Sequence, residues 1–61
     1  MNKAEFMNAV GKQAEETIDD KGCLDYVMIH ANYSVRDGLW RFYSSDEGVE
    51  KLVKLLSEMY L

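Results

Sequence analysis

The sequence predicts a single α+β domain in the order helix, strand, strand, helix, and three observations predict it. Apolar residues recur at helical spacing near the N-terminus. Two runs rich in β-branched and aromatic residues, Tyr26 to Val35 and Leu39 to Tyr43, flank the dipeptide Asp37-Gly38, a preferred pair for a two-residue type I′ turn. A Ser44-x-x-Glu47 capping box then precedes a second, broader apolar stripe.

The first helix is expected over residues 2–20. Met7, Val10, Ala14 and Ile18 follow one another at three- and four-residue steps, and Phe6 widens the stripe. Gly11 weakens this helix by about 1 kcal/mol relative to alanine. Its stripe is narrow, so it is expected to be the less firmly held of the two helices. Asp19 and Asp20 suit a helix C-terminus poorly, where the macrodipole favours cations. Gly22 is expected to stop the helix as its C′ residue.

A β-hairpin is expected next. With Asp37 and Gly38 as the turn, Arg36 pairs with Leu39, Val35 with Trp40, Tyr33 with Phe42 and Ala31 with Ser44. Alternation places Val27, Ile29, Ala31, Tyr33, Val35, Trp40 and Phe42 on a core face. It leaves Tyr26, Met28, His30, Asn32, Ser34, Arg36, Leu39, Arg41 and Tyr43 on the other. The closing helix is the clearest element. Ser44 or the competing Ser45 caps it, and Asp46 and Glu47 suit its first turn. Val49, Leu52, Val53, Leu56, Met59 and Tyr60 form its apolar stripe, with Leu55 off centre. Both helices would cover the core face of the hairpin, burying Trp40 and Phe42 against Leu52, Val53 and Leu56.

A 61-residue chain has no second layer for the other sheet face. A lone two-stranded ribbon is also weak and has two unpaired edges. Two copies pairing edge to edge would form a four-stranded sheet, so a homodimer or larger homo-oligomer is expected. Small domains commonly rely on such support. Cys23 is the single cysteine, which excludes an internal disulfide, and one Cys with one His makes a structural zinc an unsuitable staple. No metal or cofactor is therefore expected. The net charge of −4 argues against general binding to nucleic-acid backbones, which needs clustered Lys and Arg. Neither a signal peptide nor an apolar run of bilayer-spanning length is legible, so the expected location is the cytoplasm.

The second face is the one constellation with chemistry in it. Tyr26, Tyr43 or Trp40 could stack on a base, Arg41 could pair with phosphate, and Asn32 could read a base edge. His30 lies among them. Ser44 and Ser45 add hydroxyls at a helix N-terminus, where free amides bind anions. These are the parts of a small nucleotide site. The more ordinary reading is that the same residues form a subunit interface, where Tyr and Arg are enriched. In that case Ser44 and Ser45 would be caps, Trp40 a core residue and His30 a structural histidine. Catalysis is not expected: His30 and Cys23 have opposite strand parity, and no glycine-rich phosphate loop occurs.

From Asp37 to Leu61, a short hairpin closed by Asp-Gly leads through Tyr43-Ser44-Ser45 into an amphipathic helix. This stretch resembles small phage- or prophage-encoded accessory proteins. The resemblance implies an inhibitor of bacterial defence, working in the host cytoplasm by sequestering a nucleotide signal or by masking a protein. It assigns no individual residue. The expected function is thus a non-catalytic binding protein that holds a small nucleotide-like ligand in an oligomer. The alternatives are a protein-binding inhibitor of a host enzyme and a purely structural or regulatory oligomer.

Overall fold

The computed structural model describes residues 1–60, and no strand is present among them. Three helices, α1 (Lys3–Thr17), α2 (Lys21–Arg36) and α3 (Asp46–Tyr60), pack pairwise around one core. A short 3-10 helix over Leu39–Phe42 connects α2 to α3. The α+β expectation is overturned: the two supposed strands are α2 and the 3-10 helix, and among the described residues there is no sheet edge for a second copy to extend.

The reason lies in the spacing of small residues. Cys23, Val27, Ala31 and Ser34 are the buried positions of α2, and they follow at steps of four, four and three, the period of a helix. Leu24, Met28 and Val35 pack beside them. The strand reading gave weight to β-branched and aromatic residues, whose preference for strands is mostly a preference for a suitable packing surface. Asp37-Gly38 could not decide between the two forms. Gly38 sits at φ 83°, and its N–H donates to the Val35 carbonyl at 3.1 Å, beside an Asp37 N–H donating to Tyr33 at 2.9 Å. A left-handed glycine ends helices as readily as it turns hairpins.

The helix α1 begins at a reciprocal capping box. The Glu5 N–H donates to Asn2 Oδ1 at 2.8 Å, and the Asn2 N–H donates to Glu5 Oε1 at 3.0 Å. Phe6, Val10 and Ala14 are fully buried, while Met7 and Ile18 pack at the margin of the core. The helix ends at Thr17, before the expected stop. Gly22 does not end it; that residue lies in the first turn of α2. Asp20 is the N-cap of α2, accepting from the Cys23 N–H at 3.1 Å. Its charge therefore complements a helix N-terminus and does not oppose a C-terminus.

The closing helix matches its sequence pattern over four of its expected core positions. Val49, Leu52, Val53 and Leu56 are buried, whereas Met59 and Tyr60 are exposed. Ser45 is the cap, accepting from the Gly48 N–H at 3.0 Å. Ser44 instead donates to the Arg41 carbonyl at 3.1 Å. A Cβ on Gly48 would lie 2.6 Å from the Tyr43 carbonyl oxygen, so glycine lets the connecting segment lie directly on the first turn of α3.

Phe42 is the clearest displaced core residue. Expected against Leu52, Val53 and Leu56, it is 81% exposed. Trp40, expected beside it, is half-buried and does pack against the core. A 3-10 helix has three residues per turn, so the side that seats Trp40 cannot also seat Phe42. Among the described residues no helix is long and apolar enough to cross a membrane.

Candidate functional site

Two features of α2 and its exit stand apart from the core. The first is a row of stacked rings. Tyr26, His30 and Tyr33 lie at i, i+4 and i+7, one side of a helix. The Tyr26 and His30 centroids are 4.0 Å apart and those of His30 and Tyr33 are 5.9 Å apart. Tyr60 from α3 extends the row at 5.3 Å from Tyr26, and the Arg36 guanidinium closes it 4.3 Å above the Tyr33 ring. Gly22 makes room at the Tyr60 end, since a Cβ there would lie 2.7 Å from the Tyr60 hydroxyl. Well-packed ring pairs contribute about 0.5–1.5 kcal/mol beyond their buried area, and partly exposed pairs such as these lie at the low end of that scale. The row thus runs along the flank of α2 and joins it to the end of α3.

The second feature is the 3-10 helix itself. Leu39 and Phe42 are three residues apart, so their side chains eclipse on one edge, and they are 45% and 81% exposed. Trp40 anchors the element to the core from another side. Arg41 is exposed, with its guanidinium 5.7 Å from the Trp40 ring centroid. Arg36 makes an exposed ion pair with Asp37 at 3.5 Å, of the sort that contributes little to stability.

The residues singled out from sequence are not assembled as a sheet face. Tyr26 and His30 meet in the ring row. Asn32 is exposed and shares an open groove with Ile29, Tyr33 and Arg36. Trp40 and Arg41 pair on the 3-10 helix, and Tyr43 borders a separate groove with Lys51, Lys54, Leu55 and Glu58. Ser44 and Ser45 are occupied by backbone partners. Tyr33, Arg36 and Tyr60 belong to the ring row but were not read as site residues. The signal for the first two was present: Tyr26, His30, Tyr33 and Arg36 have the spacing of one helical side, hidden by reading the segment at period two.

The strand-based separation of Cys23 and His30 also changes its basis. On a helix they lie near one side, but seven residues of rise put them about 10 Å apart. Cys23 is buried, with its sulfur 4.0 Å from the Ser57 carbonyl oxygen. No set of three or more His, Cys, Asp or Glu side chains that could hold a metal occurs among the described residues. Comparison with family models, curated proteins and solved structures finds no match.

Proposed function

We propose that the protein is a non-catalytic binding module that docks another protein through the Leu39–Phe42 edge at the end of α2. The carrying observation is Phe42, 81% exposed in a small domain with few large apolar side chains to commit to its core. Covering a phenylalanine is worth about 1.5–3 kcal/mol. Folding leaves most of that gain unused, and a partner can take it up. The position suits this role, because Trp40 holds the same short element against the core. A preorganised anchor loses little conformational freedom on binding.

This reading follows the protein-masking alternative drawn from the sequence. The nucleotide-holding alternative relied on one sheet face that would gather Tyr26, His30, Asn32, Arg41 and Tyr43, and that face is not formed. The resemblance to phage-encoded accessory proteins relied in part on a hairpin and lends the present reading no support.

A photo-crosslinking amino acid at position 42, introduced in the cell that makes the protein, tests the reading. The expected result is one discrete adduct with another protein, with no such adduct from position 15 on the exposed side of α1. Phe42→Ala should reduce copurification of that same protein without changing the melting temperature. Equal adducts from both positions, or undiminished copurification of Phe42→Ala, would contradict the proposal.

A further inference from the structure

The outward sides of the three helices are unlike. Opposite the core, α1 presents Glu5, Asn8, Lys12 and Glu15, and α3 presents Glu47, Lys51, Lys54 and Glu58, all exposed. Both rows are ordinary charged surface. On α2 the outward row is Asp25, Ile29, Asn32 and Arg36, again all exposed, at steps of four, three and four. Ile29 stands 54% exposed within it, and an open groove joins Ile29, Asn32, Tyr33 and Arg36. This is the spacing of a helix-pairing seam, on a helix whose inner side is already packed against α1 and α3.

The order of charges says what this seam fits. Asp25 lies one turn before Ile29. The Arg36 guanidinium folds back over the ring of Tyr33, one turn after Ile29, at 4.3 Å from its centroid. Asp37 contacts Nε of Arg36 at 3.5 Å, so the row has no positive excess, and the terminal nitrogens keep no ion-pair partner among the described residues. Read backwards, the row sets a guanidinium against a carboxylate at both ends. The other two rows do the reverse: antiparallel pairing would oppose Glu5 to Glu15 on α1, and Glu47 to Glu58 and Lys51 to Lys54 on α3. We infer that the outward side of α2 seats a second copy of this chain, with the two helices antiparallel about a twofold axis beside Ile29. The two Ile29 side chains then cover each other, and each Asp25 meets the partner's Arg36. The chain exposes 4254 Å² in all. A standard interface takes about 800 Å² from each partner. One helix side supplies less, so half-association is expected on the order of 0.1 mM.

Sedimentation equilibrium of the full chain, from about 10 µM to about 1 mM, reads the contact directly. The expected result is a reversible monomer–dimer equilibrium. I29E should weaken it by about tenfold or more, by placing two facing carboxylates at the axis. Its melting temperature in dilute solution should stay that of the parent, because position 29 is exposed. D25R and R36E, taken singly, oppose like charges at two symmetric places and should each weaken association by about fivefold or more. The double variant D25R/R36E exchanges the signs and should return the dimer to within about twofold of the parent.

A monomer throughout that range would overturn the inference. So would an I29E protein that dimerises as tightly as the parent, since the copies would then meet on another surface. A folded D25R/R36E protein no better associated than the single variants would overturn the antiparallel pairing. The contact is separate from the Leu39–Phe42 edge and does not rest on the docking function proposed above. Phe42→Ala should leave the dimer constant unchanged, and a dimer lost in Phe42→Ala but kept in I29E would overturn the inference in favour of a copy seated on that edge. I29E should retain the adduct from position 42, so either proposal can fail without the other.

Discussion

The helices α2 and α3 differ by one residue in length and bury four residues each, yet they fill those buried positions with side chains of different size. In α3 the inward residues are all branched aliphatics, Val49, Leu52, Val53 and Leu56, while Leu55, Met59 and Tyr60 stay exposed. In α2 the inward residues are mostly small, namely Cys23, Ala31 and Ser34 around Val27. Its large side chains, Tyr26, Ile29, His30 and Tyr33, are half-buried or exposed. The α3 helix supplies bulk to the core. The α2 helix admits close approach by its neighbours and carries its rings and its arginine on the outside. The rings run along α2 from Tyr26 to Tyr33, and the helix leads directly into the 3-10 helix that carries Leu39 and Phe42.

The comparison breaks first at the core. Leu52→Ala removes a large inward side chain from α3 and should cost about 2–5 kcal/mol, enough to unfold much of so small a domain. Ala31→Leu, the reverse change at an inward position of α2, should cost about 1–3 kcal/mol through overpacking. Thermal and denaturant melts of both variants check this. A stable Ala31→Leu protein would show that the inner side of α2 is not closely approached.

Glycines give a smaller and sign-dependent test. Gly48→Ala puts a methyl group 2.6 Å from the Tyr43 carbonyl oxygen. It should destabilise despite the gain of about 1 kcal/mol that alanine brings to a helix interior. Gly11→Ala meets only the flexible end of Met28, at 3.6 Å. That variant should keep most of the same gain and raise the melting temperature. A rise for both would mean that the Tyr43 backbone does not lie on α3.

On the outer side of α2, Tyr33→Ala removes the ring between His30 and Arg36. The expected loss is about 1 kcal/mol or less, the scale of exposed ring and cation–π contacts. The equivalent truncation of an inward α3 residue should cost several times more. Equal losses would place Tyr33 in the core, where a hairpin would have put it.

The two regions also differ in how far the sequence revealed them. For α3, spacing, acidic first turn and cap agree on a helix; the structure decides between Ser44 and Ser45 as the cap and leaves Met59 and Tyr60 out of the buried stripe. The first helix is likewise legible from Phe6 to Ala14, and its start lies in the Asn2–Glu5 box, three residues apart as a capping box requires. In α2, local signals pointed the other way. Tyr26, Val27, Ile29, Tyr33 and Val35 favour strands in isolation, and Asp37-Gly38 serves a hairpin or a helix end equally well. The decisive pattern was Cys23, Val27, Ala31 and Ser34, three of them too small or too polar to register as an apolar stripe. With the wrong period, Tyr33 and Phe42 were turned inward. Tyr26 and His30 fall on one side in either form, since they are four positions apart, and their rings meet.

The most direct measurement is the unfolding free energy of Phe42→Asp. A residue on an exposed edge can take a charge without cost to folding, so the change should fall within about 0.5 kcal/mol of the parent. A charged side chain forced into a core would instead destabilise by several kcal/mol. Loss of the cooperative transition in Phe42→Asp would place Phe42 in the core and contradict both the exposed edge and the docking function built on it.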